Sequence, residues 1–198
     1  MRRLVLASTS PRRRELLAAL GLAFEVAAPR FEEKSDPGLS PEAEAVEFAK
    51  AKARSLVPDF TDALLIGSDT LIEFQGRKLG KPRDAADARA MLRDLAGKPH
   101  LIHTAVAVID AGSGVEEALL SRVKILMRPA ADAEIAAYVA TGEPLDKAGA
   151  YAIQGRGREL IAEVEGDYEA AVGLSTKDLI ALLQKFGVRM SDGPEKHR

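Results

Sequence analysis

A run of small hydroxyl residues followed by three arginines could bind an anion. The run reads Ser8-Thr9-Ser10-Pro11-Arg12-Arg13-Arg14. Serine followed by proline is typical of the start of a helix. Three arginines in a first helical turn repel the helix dipole and one another. Hydroxyls, guanidinium groups and the N–H groups of a helix N-terminus together bind phosphate well. We therefore favour a polyphosphate site over the alternative of three solvated surface arginines.

Asp69 is the second residue whose setting predicts chemistry. It follows the apolar run Ala63–Ile66, and the apolar pattern resumes directly after Thr70. Such a run is typical of a strand that is buried on both faces. A carboxylate in that position costs desolvation free energy unless it is paired or binds a metal. A surface turn is the alternative, but Asp69 interrupts a strand rather than following one, so its position favours a functional role.

The composition excludes several classes of protein. The 198 residues include 28 basic and 30 acidic ones, for a net charge of −2. This balance argues against general binding to nucleic acid or to anionic membranes, so a basic site must be local. The absence of cysteine excludes a disulfide framework, a thiol nucleophile and a thiolate metal site. The sequence shows neither a signal peptide nor a membrane-spanning stretch, and a cytoplasmic location is expected.

The elements that must position these residues can be predicted from caps and periodicity. A serine or aspartate before an apolar helical pattern predicts helices that begin after Ser40, Asp84 and Ser175. Two strand-like runs, residues 102–109 and 119–127, flank a turn and predict a hairpin. Residues 159–165 also predict a strand. We expect a mixed α/β fold, with a partly antiparallel central sheet and flanking helices.

The remaining predictions concern domain organisation and the histidines. Residues 1–188 are expected to form a single domain, and residues 189–198, with few apolar side chains, a disordered tail. His100 and His103 are three residues apart on a predicted strand, which places them on opposite faces. A metal site built on both histidines is therefore not expected.

A set of short motifs lies along the chain in a defined order and spacing: Leu6-Ala7-Ser8-Thr9-Ser10-Pro11-Arg12-Arg13, Gly67-Ser68-Asp69-Thr70, Gly80-Lys81-Pro82, Tyr138-Val139, Gly142-Glu143-Pro144-Leu145-Asp146-Lys147-Ala148-Gly149-Ala150-Tyr151, Ile153-Gln154-Gly155 and Val172-Gly173-Leu174. Together these motifs resemble the Maf family of nucleoside triphosphate pyrophosphatases. The resemblance spans residues 4–188.

The resemblance implies hydrolysis of a nucleoside triphosphate between its α- and β-phosphates, with Mg²⁺ or Mn²⁺. It also implies two α/β lobes around a cleft, similar to the inosine triphosphate pyrophosphatases, and often a homodimer. Asp69 matches the family's proton acceptor and, with Glu33, would hold the metal. The residues expected to contact the phosphates are Ser8, Arg12, Arg13, Lys52 and Lys81.

The resemblance also bears on the substrate. Arg12, Thr70 and Gln154 match the branch of the family that acts on dTTP and UTP, including possible action on modified pyrimidine nucleotides. The alternatives are a pyrophosphatase of the same family for 7-methyl-GTP or CTP, and a non-catalytic nucleotide-binding regulator of cell division. The pair Glu33 and Asp69 argues against pure binding, because carboxylates without a metal would hinder the binding of an anion.

Overall fold

The computed structural model describes residues 2–189. The strands are β1 (Arg3–Ala7), β2 (Glu25–Ala27), β3 (Ala63–Phe74), β4 (Arg77–Leu79), β5 (Pro99–Asp110), β6 (Glu116–Met127) and β7 (Ile161–Glu165). The α-helices are α1 (Pro11–Ala18), α2 (Pro41–Arg54), α3 (Ala85–Leu95), α4 (Asp132–Ala140), α5 (Tyr168–Val172) and α6 (Thr176–Lys185). Short 3₁₀ turns cover Val57–Asp59, Glu143–Asp146, Ala148–Ala150 and Gly155–Leu160.

The strands form one mixed sheet, which confirms the predicted fold class. Within the described part of the chain the sheet has seven strands in the order β2-β1-β3-β5-β6-β7, with β4 paired to β3. β1 runs parallel to β2 and β3, whereas β5, β6 and β7 continue as antiparallel neighbours. The predicted hairpin is the β5–β6 pair, and it is longer than the apolar runs indicated. The helices lie against this sheet.

The predicted helix starts are confirmed by their caps. The side chains of Ser40, Asp84 and Ser175 each accept a hydrogen bond from the backbone N–H three residues later, and Ser10 does the same at the start of α1. The strand predicted from Glu159 begins only at Ile161, because the residues before it form a 3₁₀ turn. The sequence of Gly155–Leu160 has no periodic pattern that would predict this turn.

Two further sequence predictions are not decided by this fold. Of the predicted tail, residues 190–198 lie outside the described residues, and the single-domain assignment stays a prediction.

Among residues 2–189, the helices are all too short or too polar to cross a bilayer.

A gap along one edge of β3 determines where a site can form. On that edge β1 pairs with Ala63–Ile66 and β4 pairs with Ile72–Phe74. Residues 67–71 therefore have β5 on one side and no strand among the described residues on the other. Successive side chains of a strand point to opposite faces of a sheet. Where no neighbouring strand covers the edge, a ligand can contact side chains on both faces. Asp69 and Thr70 lie in this gap.

Helix α2 covers one face of the sheet at the same place. The backbone of Gly67 lies against the backbone of Ala49, so closely that a Cβ atom on Gly67 would stand 2.0 Å from the Ala49 carbonyl oxygen. This contact fixes the distance between α2 and β3. Lys52, one turn further along α2, is thereby placed beside Asp69.

Buried His100 predicts a loss of stability in acid. Its Nε2 lies 2.7 Å from the Tyr151 hydroxyl, and burial lowers its pKa to about 4. An unfolded histidine has a pKa of about 6.5, so the unfolded state binds the proton first as the pH falls. The free energy of unfolding should decrease by about 3 kcal/mol from pH 6.5 to 4. Urea unfolding at several pH values measures it, and His100→Gln should remove most of this dependence. An equal decrease in both proteins would contradict the assignment.

Candidate functional site

A pocket occupies the gap along β3. Its volume is about 580 Å³, within the range of pockets that hold small-molecule ligands. Eight residues singled out from the sequence line it: Ser8, Arg12, Arg13, Glu33, Lys52, Asp69, Thr70 and Lys81. The carboxyl end of β1 leads directly into the Ser8–Arg13 segment, as expected for ligand sites at the ends of parallel strands. Residues far apart in the sequence therefore converge on one polar pocket.

Lys52 joins two carboxylates in this pocket. Its Nζ lies 2.5 Å from Asp69 Oδ1 and 2.5 Å from Glu33 Oε1. Lys52 and Asp69 are buried, whereas the Glu33 side chain is 54% exposed. A buried lysine would be costly without such partners. Lysine at this position, which sequence alone would place on a solvated helix face, is thus part of a buried charge cluster.

The two carboxylates differ in their electrostatic surroundings. Burial raises the pKa of Asp69, although the charges of Lys52 and Arg13 oppose the shift. Partial burial also disfavours the charged form of Glu33, but the hydrogen bond and charge of Lys52, with smaller contributions from Arg13 and Lys81, lower its pKa overall. Carboxyl groups whose pKa values are pushed apart are suited to different roles, one accepting a proton and the other staying ionised.

The three arginines at the start of α1 differ in their contacts with the pocket. Arg13 Nε donates to the Gly173 carbonyl at 2.9 Å, and its Nη2 lies 3.4 Å from the Thr70 hydroxyl. The Ser68 hydroxyl donates to the same carbonyl at 2.9 Å. Arg12 lines the pocket without a recorded hydrogen bond to a described residue, and Arg14 is exposed outside it. Arg13 is thus held in place, and it can still offer N–H groups to an anion.

The predicted specificity residues are only partly brought together. Arg12 and Thr70 line the pocket, and the Thr70 hydroxyl lies 3.0 Å from the Thr104 hydroxyl. Gln154 is exposed and is not among the pocket residues, although Ile153 is. A role for Gln154 in reading the base therefore stays a prediction.

Sequence reasoning missed two contributors to the pocket. The Gly173 carbonyl anchors Arg13, and Lys147 lines the pocket next to Asp146, to which it is paired. Both residues lie in motifs that carry the family resemblance. The role of Gly173 could not be predicted, because a backbone carbonyl acceptor has no signature in the sequence. Lys147 could have been found by asking which cations lie in the quoted motif of residues 142–151.

The chemistry of the site fits a divalent cation. Asp69 Oδ2 is buried and has no hydrogen-bond partner among residues 2–189, so this oxygen is available to a cation or a water proton. Glu33 lines the same pocket with a half-exposed carboxylate. Two carboxylates beside a cationic segment suit Mg²⁺, which takes few protein ligands and completes its shell with phosphate oxygens and water.

A separate group of side chains could also hold a metal ion. Glu42, Glu73 and His103 each bring one ligand atom within 4.8 Å of the others. His103 Nε2 lies 2.7 Å from Glu73, and His100 is bonded elsewhere, to Tyr151. This group shares no member with the predicted pair Glu33 and Asp69, and it does not line the pocket.

The fold is similar to that of a solved structure. The Staphylococcus aureus Ham1 protein matches with a TM-score of 0.51 over 93% of this chain and 97% of that one. At 17% identity this likeness concerns the fold alone.

Sequence comparison gives a more specific result. A 50% identical protein of Moorella thermoacetica, named dTTP/UTP pyrophosphatase, aligns over 95% of this chain and 97% of its own length. A protein of the same name from Gloeobacter violaceus is 46% identical over 95% of this chain and 98% of its own. The family model described as Maf-like protein matches residues 3–186. Because that match includes all of the pocket residues described above, the chain belongs to the Maf family.

Proposed function

We propose that this chain is a pyrophosphatase that hydrolyses dTTP and UTP to the monophosphate and pyrophosphate. The observation that carries the proposal is the buried Oδ2 atom of Asp69, which has no hydrogen-bond partner among residues 2–189 and lies in a pocket otherwise rich in cationic groups. An anion-binding module has no use for a buried carboxylate there, whereas a hydrolase needs a proton acceptor. The names of the 50% and 46% identical relatives support the choice of substrate.

The phosphates are bound by the cationic and hydroxyl groups of the pocket. Ser8, Arg12 and Arg13 meet the chain of phosphates from the end of β1 and the start of α1, where helix N–H groups add to the attraction. Lys52 and Lys81 approach from α2 and from the loop after β4. Charge spreads over the phosphoryl oxygens in the transition state, so these fixed cations lower the barrier by electrostatic stabilisation.

Asp69 accepts the proton of the attacking water at Oδ2, while Lys52 holds its Oδ1 atom in place. The raised pKa of Asp69 makes it a better base than an ordinary aspartate once it is ionised. Asp69 and Glu33 would hold the divalent cation, Mg²⁺ or Mn²⁺. When bound, this cation neutralises phosphate charge and makes water more acidic.

Incubation with a panel of nucleotides tests this function. The wild-type protein with Mg²⁺ should release pyrophosphate from dTTP and UTP faster than from CTP, GTP or 7-methyl-GTP, because Arg12 and Thr70 match the pyrimidine branch. Chromatography identifies the monophosphate, and a colorimetric assay quantifies pyrophosphate. Release of pyrophosphate mainly from 7-methyl-GTP or CTP would support the pyrophosphatase reaction but overturn the proposed preference for dTTP and UTP. A stable, unhydrolysed nucleotide complex would overturn the activity and favour a binding regulator.

A homodimer, a cytoplasmic location and the absence of nucleic-acid partners stay predictions. A role in clearing unwanted nucleotides from the cell's pools would be consistent with the proposed reaction.

A further inference from the structure

The segment that carries Glu33 lies along one stripe of helix α2. Residues 30–36, here named the strap, belong to the connection between β2 and α2 and form neither helix nor strand. The strap contacts four helix-side residues spaced at three or four positions, which therefore lie on one face: Glu44, Phe48, Lys52 and Ser55. The strap runs in the direction opposite to the helix.

Three contacts fix the first part of the strap. The Arg30 backbone N–H donates to the Ser55 hydroxyl at 3.0 Å, beyond the last turn of α2. The rings of Phe31 and Phe48 meet edge to face, with centroids 5.3 Å apart. Glu33 then reaches Lys52, and through it Asp69. Arg30 and Phe31 thus anchor the strap before Glu33, and the Glu33 carboxylate itself faces the helix.

Glu44 fixes the other end of the strap. Its side chain is 1% exposed, and it accepts hydrogen bonds from the Ser35 hydroxyl at 3.0 Å and from the Asp36 backbone N–H at 2.5 Å. Lys78 Nζ, from β4, donates to Glu44 at 2.9 Å and to the Asp36 carbonyl at 2.7 Å. A buried glutamate needs such partners, because its charge would otherwise be uncompensated. Glu44 and Lys78 together therefore clamp the strap two residues beyond Glu33.

We propose that Glu44 is a positioning residue for the reaction: by clamping Ser35 and Asp36, it holds the Glu33 carboxylate beside Lys52 and Asp69. This inference rests on the proposed function for its kinetic consequences. Glu33 is half exposed, and among residues 2–189 its side chain makes one ion pair, with Lys52, so its position depends on the anchors on either side. Groups that orient a metal ligand from outside its coordination shell commonly affect metal affinity strongly.

The kinetic test compares two glutamates of the same helix. Glu44→Ala should raise the Mg²⁺ concentration for half-maximal hydrolysis of dTTP by about 10-fold. Glu47→Ala is the matched control, since Glu47 pairs with Arg54 on the exposed surface and should leave that concentration unchanged. Glu44→Gln keeps an acceptor oxygen for Asp36 and should recover most of the loss. Equal values for Glu44→Ala and Glu47→Ala would overturn the proposal.

A double-mutant cycle distinguishes positioning from general destabilisation. If Glu44 acts through Glu33, adding Glu44→Ala to Glu33→Gln should change the Mg²⁺ dependence by less than about 2-fold, because coupled residues are not additive. Full additivity would contradict the proposal. Were Glu44→Ala to fail to fold, Lys78→Met would loosen the same clamp from the β4 side.

Amide hydrogen exchange tests the strap independently of activity. Residues 31–36 should exchange faster in Glu44→Ala than in wild type or Glu47→Ala, while β3 keeps its protection. Unchanged exchange in the strap would overturn the clamp even if activity fell. Conversely, a wild-type protein that hydrolyses no nucleotide would refute the proposed function, and the exchange result would still decide whether Glu44 holds the strap.

Discussion

Replacing Asp69 by asparagine should lower kcat for dTTP hydrolysis by about 10³-fold, in the middle of the range for losing a general base. Asparagine has nearly the same shape, and its carbonyl oxygen can still accept the hydrogen bond that Lys52 now donates to Oδ1. The neutral amide nitrogen, placed where Oδ2 stands, can neither accept a proton nor hold a cation. Pyrophosphate release under single-turnover conditions measures the loss at the chemical step.

The fold should survive this change. Asp69 is buried and its pKa is raised by burial, so removing its charge relieves desolvation free energy. Lys52 loses one of its two carboxylate partners but keeps Glu33, and this loss opposes the relieved desolvation. We therefore expect Asp69→Asn to remain folded with only a modest change in its unfolding temperature. Asp132→Asn, which alters an exposed ion pair with Arg93, is the control and should keep full activity. A folded Asp69→Asn protein with near-normal turnover would contradict both the proton-acceptor and the metal role.

The second large effect is structural. Gly67→Ala should lower the free energy of unfolding by about 3 kcal/mol or more, at the upper end for overpacking a core. The added Cβ would stand 2.0 Å from the Ala49 carbonyl oxygen and 3.1 Å from the Ala53 nitrogen, both backbone atoms of α2. Because helix backbone cannot turn aside as a side chain can, α2 must move away from β3. Urea-induced unfolding measures the change.

Gly80 is the control that distinguishes the effect of crowding at Gly67 from the effect of replacing any glycine by alanine. Gly80 has an ordinary backbone conformation, and no described atom lies within 4 Å of its added Cβ. Gly80→Ala should therefore change the free energy of unfolding by less than about 0.5 kcal/mol. Moving α2 also separates Lys52 from Asp69, so Gly67→Ala should lose activity in proportion to the displacement. Equal stability of the two alanine variants would show that the helix–strand contact is less close than described.

Some of this protein could be predicted from its sequence because local physics determined it. Ser10 before Pro11 marks a helix start, and that helix begins at Pro11. Alternation and apolar runs gave the long strands and hence the mixed α/β class. Asp69 stood out because one carboxylate within a buried apolar run is costly wherever the strand lies. The strand begun too early, at Glu159 instead of Ile161, shows the limit, since a 3₁₀ turn leaves no periodic pattern.

The sequence by itself determined most of the element types, the cationic and hydroxyl-rich character of the Ser8–Arg14 segment and the unusual position of Asp69 within an apolar run. Only the tertiary structure decided that Lys52 is a buried partner of Glu33 and Asp69, that Gly173 anchors Arg13, and that Glu44 clamps the strap. The contacts of Lys52 with Asp69 and of Arg13 with Gly173 join residues 17 and 160 positions apart in the sequence. They form around the gap that is left because β1 ends while β3 continues, and α2 packs against Gly67 at that gap. Periodicity reports the face on which a side chain lies, whereas the depth of helix packing and the length of a neighbouring strand determine what that side chain meets.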